Sequence, residues 1–149
     1  MTTMESLTMS VRLVLLPLFV EVLLTFGLFF WMAYYRVTLI RSRAVHPRDI
    51  ALREPNWPPH VLKVANAAHN QLELPLLFYV LTILAIITRH ADIVFVVLAW
   101  IFVLARLAHA YVHTTSNRIS VRGPVFGIGL LVLLIMWVIF MVRILAGAP

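Results

Sequence analysis

Two sets of polar residues with helical spacing interrupt otherwise apolar sequence and could do chemistry in this chain. One set combines two amides with a carboxylate, the other combines a guanidinium with two imidazoles, and each spacing places the side chains on one face of a helix. Together they offer more hydrogen-bond donors than they need for one another, which favours an anionic ligand that carries amide and carboxylate groups of its own. The residues are Asn66, Asn70 and Glu73 in the first set, and Arg106, His109 and His113 in the second.

Structural roles are the alternative for the same residues. Glu73 and Arg106 could form a buried ion pair that sets the register of two helices, because buried charges are normally paired. The two asparagines could form hydrogen bonds between helices, and either histidine alone could serve packing. The combination of all these groups on two neighbouring helices is what favours a ligand site.

A metal site is not expected. The chain has six histidines, but the pair His109 and His113 has no obvious third ligand, and no His-Glu-x-x-His pattern occurs. A glycine-rich phosphate loop and a G-x-S-x-G motif are also absent from the sequence. The chain has no cysteine, so a thiol needed for chemistry would have to arrive with a ligand.

The apolar composition places both polar sets in a membrane. Apolar residues make up 62% of the chain and charged residues 12%, with a mean hydropathy of +0.98, whereas a soluble domain carries about 25% charged residues. Four long apolar stretches therefore predict an all-α integral membrane protein, a four-helix up-down bundle that fills one domain over residues 1–149. The predicted helices lie at about 11–37, 60–89, 92–114 and 123–146.

Prolines and capping residues predict where these helices begin. Pro58 and Pro59 set up the second helix, Asp92 suits the first turn of the third, and Gly123-Pro124 starts the fourth. The turn at residues 89–92 is very short, so the second and third helices are antiparallel neighbours. Both polar sets then lie toward the same end of the bundle.

The net charge of +6 is interpreted as an orientation signal rather than as a sign of nucleic-acid binding. Basic residues concentrate in the cytoplasmic loops of membrane proteins. Eight lie in or beside the first and third loops and three on the opposite side, which predicts that both of these loops are cytoplasmic and both termini outside. The eight are Arg36, Arg41, Arg43, Arg48, Arg53, Lys63, Arg118 and Arg122, and the three are Arg12, Arg89 and Arg143.

The first apolar stretch is expected to be a retained helix. It is too long for the core of a signal peptide, and no small-residue cleavage site follows it. It also contains an acid, Glu21. We expect Glu21 to lie in the outer half of the membrane, away from the two polar sets, and to pair within the bundle or an oligomer.

At the two polar sets the chain resembles a known family, the membrane-associated proteins in eicosanoid and glutathione metabolism (MAPEG), in a bacterial-type form. The segment Asn70-Gln71-Leu72-Glu73-Leu74-Pro75 resembles the family's Asn-x-x-Glu near the start of helix 2 with a following proline. The segment Arg106-Leu107-Ala108-His109 resembles its motif in helix 3. The length, the four helices and the long first loop also fit.

The resemblance implies a homotrimer that binds glutathione, as co-substrate, between neighbouring protomers near the cytoplasmic face of a bacterial inner membrane. Asn70 and Glu73 match the family residues that hold glutathione, and His109 matches a residue that lines the site. An arginine in loop 3–4 or early helix 4 activates the thiol in the family. The arginines implied to contribute are Arg122 as the catalytic residue, Arg118 at a basic position, and Arg36 and Arg41 at the end of helix 1.

Two positions depart from the family pattern. Asn66 stands where an arginine usually clamps the glutathione carboxylate, and an amide cannot supply the bidentate charged fork of a guanidinium. His113 stands where a tyrosine is expected. The departures allow weaker glutathione binding, a different ligand or loss of activity.

Three hypotheses follow. The first is a glutathione-dependent transferase or peroxidase that acts on lipophilic electrophiles drawn from the bilayer, with the thiol activated by an arginine. The second is a non-catalytic trimeric scaffold or small-ligand-binding protein that keeps the fold. A transporter or channel is the third and is less favoured, because the polar residues cluster at one end. The expected partners are other copies of the chain, membrane lipids and a lipophilic small molecule, but no nucleic acid.

Overall fold

The computed structural model describes residues 9–53 and 55–147, and all regular secondary structure within them is helical. Four segments are long and apolar enough to cross a membrane, so the prediction of an all-α integral membrane bundle is confirmed. One of these spans consists of two α-helices joined by a 3-10 turn at Asn70–Leu72. The helices are α1 (Val11–Arg41), α2 (Pro59–His69), α3 (Leu74–Ile87), α4 (Ile93–Thr114) and α5 (Ile119–Leu145).

The second span is broken where the sequence predicts a continuous helix. Pro75 occupies the second position of α3. Proline has no N–H, and its ring crowds the carbonyl four residues earlier, which disfavours α-helical geometry in the preceding turn. The backbone instead tightens into the 3-10 turn and leaves helical geometry at Glu73, with φ −101° and ψ −103°.

The last helix begins at Ile119, four residues before the predicted start, and Pro124 lies inside it. The hydrogen bond that Pro124 cannot donate would reach the carbonyl of Ser120, in the first turn. Carbonyls at the exposed end of a span can be hydrated, so the cost of this proline is small. At the opposite end of the bundle Asp92 lies at the start of α4, as predicted, and its carboxylate caps the helix by accepting a hydrogen bond from the Phe95 N–H at 2.9 Å.

Helix α4 is the centre of the bundle and contacts α1, α2 and α5. Its Phe102 ring lies 4.8 Å from that of Phe78 on α3, and both side chains are fully buried. Large apolar side chains cover the outside of the bundle, as a surface that faces lipid requires; Leu23 and Phe30 on α1 are about 70% exposed. The central position of α4 brings its polar face against three other elements.

Candidate functional site

A buried polar network joins three spans near the middle of the bundle. Arg106 on α4 is 1% exposed, and its Nε lies 3.8 Å from Oε1 of Glu21 on α1, which is fully buried. Gln71, from the 3-10 turn, lies between them. With its amide oriented to satisfy both neighbours, Gln71 donates to Glu21 Oε1 at 2.6 Å and accepts from Arg106 Nη2 at 3.3 Å.

This network holds Asn70 at two points. The Asn70 carbonyl accepts from Arg106 Nη2 at 3.0 Å, and its side-chain Nδ2 lies 3.3 Å from Nδ1 of His113. The broken helix makes the first contact possible, because the Asn70 carbonyl has only the Glu73 N–H, at 3.4 Å, as a backbone partner. Two residues of α4 therefore hold Asn70, one at its carbonyl and the other at its side chain.

The two histidines of α4 line the same region. Both are 3% exposed, and their ring centroids are 5.4 Å apart. The His109 ring also lies 5.6 Å from Phe126 of α5, and His109 Nδ1 has no hydrogen-bond partner among the described residues. The site thus contains a buried imidazole nitrogen with unused hydrogen-bonding capacity.

The ion pair between Glu73 and Arg106, which the sequence offered as a structural alternative, is not formed. Arg106 pairs with Glu21 and not with Glu73, which is exposed and makes no ion pair within the described part of the chain. The reason is the 3-10 turn, which directs Gln71 into the bundle and turns Glu73 away from the face it would share with Asn70 in a continuous helix.

Glu21 lies within the polar cluster rather than away from it, although pairing within the bundle is confirmed. Helices α1 and α4 begin at the same level, because the Met9 N–H donates to the Ala91 carbonyl at 3.1 Å. Glu21 and Arg106 are ten and thirteen residues from these starts. At about 1.5 Å per residue their depths differ by only about 5 Å.

Four arginines lie at the end of the bundle where α1 and α4 terminate, and their surroundings differ. Arg122 is half-buried, donates to Asn117 Oδ1 and lies within electrostatic range of both histidines. Arg36 is half-buried with its guanidinium 5.2 Å from the Trp57 ring centre, a cation–π contact that holds the first loop against α1. Arg118 and Arg41 are exposed, at the start of α5 and the end of α1.

The structure therefore brings together part of the predicted site. Asn70, Arg106, His109 and His113 form one cluster with Arg122 beside it. The exposed side chains of Asn66 and Glu73 make no contact with this cluster among the described hydrogen bonds and ion pairs, nor do Arg118, Arg36 and Arg41. Sequence analysis did not predict that Gln71 and Glu21 belong to the cluster. Glu21 could have been found from its position, because an acid inside an apolar span needs a buried cation as its partner.

An apolar groove of about 390 Å³ runs between α1 and α4, and its α4 side includes residues that follow Arg106 and His109 directly in the chain. Leu28 and Trp31 form one side, and Ala110 and Tyr111 the other. No group of three or more His, Cys, Asp or Glu side chains suited to a metal ion occurs in residues 9–53 and 55–147. The candidate site therefore consists of amide and imidazole groups with basic residues at its edge, and an apolar groove lies on the same helix, α4.

Comparison with known proteins identifies the family. The family model described as the MAPEG family matches residues 14–142, which is nearly the whole chain. Searches of curated proteins and of solved structures gave no match. The match covers all four spans and both polar sets, and the chain therefore belongs to the MAPEG family of membrane proteins.

Proposed function

We propose that this protein is a glutathione-dependent transferase or peroxidase that acts on lipophilic electrophiles at the cytoplasmic face of a bacterial inner membrane. Membership in a family associated with glutathione and eicosanoid metabolism supports the class of reaction. The observation that carries the proposal is Asn70, which Arg106 and His113 hold at its backbone and at its side chain. A binding group fixed in advance loses little entropy when a ligand arrives.

The exposed carboxylate of Glu73 supports a site shared between protomers. Fourteen residues separate Glu73 from Ile87 at the far end of the span, which is about 21 Å of helix and less than the roughly 30 Å of a bilayer core. A carboxylate that faces acyl chains at this depth is costly, so a neighbouring protomer or a polar ligand must cover it. A homotrimer with glutathione between protomers meets this requirement.

Within this proposal Asn70 and Glu73 hold glutathione, and His109 and His113 line its site. Arg106 supports the site from beneath, because its guanidinium is buried against Glu21 and the Asn70 carbonyl. Four residues of the predicted site lie outside the cluster and would reach glutathione only at an interface between protomers. They are Asn66, Arg36, Arg41 and Arg118.

Arg122 is the proposed thiol-activating residue. A free thiol has a pKa near 8.5, so only a few per cent is thiolate at pH 7, and a neighbouring guanidinium stabilises the thiolate by a charge-assisted hydrogen bond. The thiolate then forms a C–S bond with the electrophile as the leaving group departs. The groove between α1 and α4 would receive the lipophilic acceptor from the bilayer. Binding of both reactants to one protein would raise their effective concentration.

The test is conjugation of glutathione to an aryl halide by the purified protein and by Arg122→Ala. Loss of one charge-assisted hydrogen bond to the thiolate is expected to lower kcat/KM roughly 10- to 100-fold at pH 7, with partial recovery as the pH approaches about 8.5. Arg48→Ala is the matched control, since Arg48 lies at the same end with 84% of its side chain exposed. Equal rates for Arg122→Ala and the unaltered protein would refute the role of Arg122.

A non-catalytic trimeric scaffold or ligand-binding protein is the second candidate. It is favoured by Asn66, which supplies no cation where a glutathione carboxylate is expected, and by His113, which stands where the family resemblance leads us to expect a tyrosine. Calorimetric titration with glutathione separates the two. Binding that is absent or only millimolar, together with no turnover, supports the scaffold.

A further inference from the structure

Glu21 is a fully buried acid for which the proposed chemistry has no use. It lies on α1, far along the chain from both polar sets, and its Oε2 has no hydrogen-bond partner among the described residues. An ionisable residue inside a membrane span is costly and is retained where it serves a purpose. The question is what this carboxylate does for the side chains around it.

Glu21 is connected to Asn70 through Arg106. Glu21 lies beside the Nε edge of the Arg106 guanidinium, 3.8 Å away, and accepts from Gln71. With the guanidinium held on that side, its Nη2 is directed at the Asn70 carbonyl, 3.0 Å away. Asn70 is the first residue of the 3-10 turn. A carboxylate on α1 thus fixes, through a residue on α4, the turn that divides the second span.

We propose that Glu21 is a positioning residue for the candidate site. Through Arg106 it fixes the Asn70–Leu72 turn, and this turn sets the directions in which Asn70 and Glu73 face a ligand. The identity of that ligand as glutathione rests on the proposed function. The effect of Glu21 on the turn does not, and can be measured without any ligand.

A purely packing role makes a different prediction. A glutamine at position 21 would fill the same volume and could still accept a hydrogen bond from Gln71. It would remove the only buried counter-charge of Arg106 among the described residues and leave the exposed Glu73 as the other acid within electrostatic range. The guanidinium would then be held less firmly beside α1. The turn should therefore respond to the charge of residue 21 and not only to its size.

The first experiment compares the unaltered protein with Glu21→Gln in detergent, using hydrogen exchange of the backbone amides in residues 70–76. The amides of Glu73 and Leu76 bond to Asn70 and Glu73, so they report on the turn. We expect exchange there to become about tenfold faster, and the Kd for glutathione to rise about tenfold, as loss of a hydrogen bond to a charged group implies. Thr82→Val is the control, because Thr82 is fully buried on α3 and its hydroxyl bonds only to the Phe78 carbonyl; turn exchange in it should be unaltered.

A second variant guards against loss of folding in Glu21→Gln. The double substitution Glu21→Gln with Arg106→Met removes both buried charges, which is expected to restore thermal stability. It also removes the donor to the Asn70 carbonyl, so turn exchange should stay fast. In this variant thermal stability should be restored while amide exchange in the turn stays fast. A packing role for Glu21 does not predict that combination.

The outcomes are distinct. Faster exchange confined to the turn, with weaker glutathione binding, supports the proposal. Turn exchange at the unaltered rate in folded Glu21→Gln overturns it, and so does faster exchange with an unchanged Kd in a protein that binds glutathione. If the unaltered protein binds no glutathione, the proposed function fails, while turn exchange still decides whether Glu21 positions the turn.

Discussion

The ion pair between Asp92 and Arg143 is expected to hold α4 against α5 at the end of the bundle opposite the candidate site. Arg143 Nη2 lies 2.7 Å from Asp92 Oδ2, and the two side chains are 31% and 24% exposed. Asp92 caps α4 with its other oxygen, and Arg143 lies in the last turn of α5. Substitution of either residue should therefore loosen α4 from α5 at the end opposite the candidate site.

The magnitude follows from partial burial. Two charges 2.7 Å apart attract by about 6 kcal/mol at an effective dielectric constant of about 20, before desolvation and side-chain entropy offset most of it. Exposed pairs retain about 0.2–1 kcal/mol, and hydrogen bonds to charged groups about 1.5–3 kcal/mol. A half-buried pair lies between them, so we expect about 1 kcal/mol from the pair, or about 2–4 °C in Tm for a chain of this size.

Three variants separate the pair from the cap. Asp92→Asn keeps an oxygen for the Phe95 N–H and loses the charge, so it should cost about 1 kcal/mol, or slightly more because the helix dipole favours the anion. Asp92→Ala loses the cap as well and should cost about 1 kcal/mol more. Arg143→Gln completes a double-mutant cycle that isolates the pair. The assay is reversible unfolding in mixed micelles with an increasing fraction of SDS.

The pH dependence of the pair has a defined sign. Partial burial by itself raises the pKa of Asp92, but the hydrogen bonds from Arg143 and the Phe95 N–H outweigh it, so the pKa lies below its ordinary value of 3.8. A lowered pKa means that the stabilisation is complete above about pH 3.8 and is lost as the pH falls below it, through the folded-state pKa. The stability difference between the unaltered protein and Asp92→Asn should therefore stay constant from pH 7 to 5. A coupling energy of zero in the cycle, or a difference that changes between pH 7 and 5, would refute this reasoning.

Two further predictions concern the site and the orientation. Asn66→Arg introduces a cation where the family resemblance leads us to expect one, and a bidentate charged contact then replaces an amide. Calorimetry should show glutathione binding about tenfold tighter in this variant and unaltered in Asn66→Gln. Equal affinities in the two variants would contradict this role for position 66. A reporter active only in the cytoplasm should give little signal when fused to the C-terminus and a strong one within the first loop, and the reverse pattern would overturn the proposed orientation.

The sequence alone determined the class of the protein and the identity of its polar residues. The apolar stretches predict four spans because a bilayer core tolerates few unpaired charges, and that requirement acts on composition and length without reference to tertiary contacts. The motifs around Asn70 and Arg106 likewise carry the family resemblance in their residue types and spacing.

Helix boundaries were predicted less well because proline has three different roles in this chain. Pro59 begins a helix, as expected, but Pro124 lies within one and Pro75 breaks the second span just before it. The same residue type starts, interrupts or merely occupies a helix according to whether the lost hydrogen bond can be replaced. The Ser120 carbonyl, which Pro124 leaves without its helical donor, lies in the exposed first turn of α5, and Arg106 donates to the Asn70 carbonyl beside the break. Neither circumstance is visible in local sequence.

Only the tertiary structure decided which acid pairs with Arg106. Spacing favoured Glu73, which is close in the predicted helix register, whereas the partner in the structure is Glu21, eighty-five residues earlier in the chain. Periodicity describes the faces of one helix at a time, but the level at which two helices meet depends on where their ends are joined. The Met9–Ala91 contact sets that level, and the 3-10 turn before Pro75 frees the Asn70 carbonyl that Arg106 then holds.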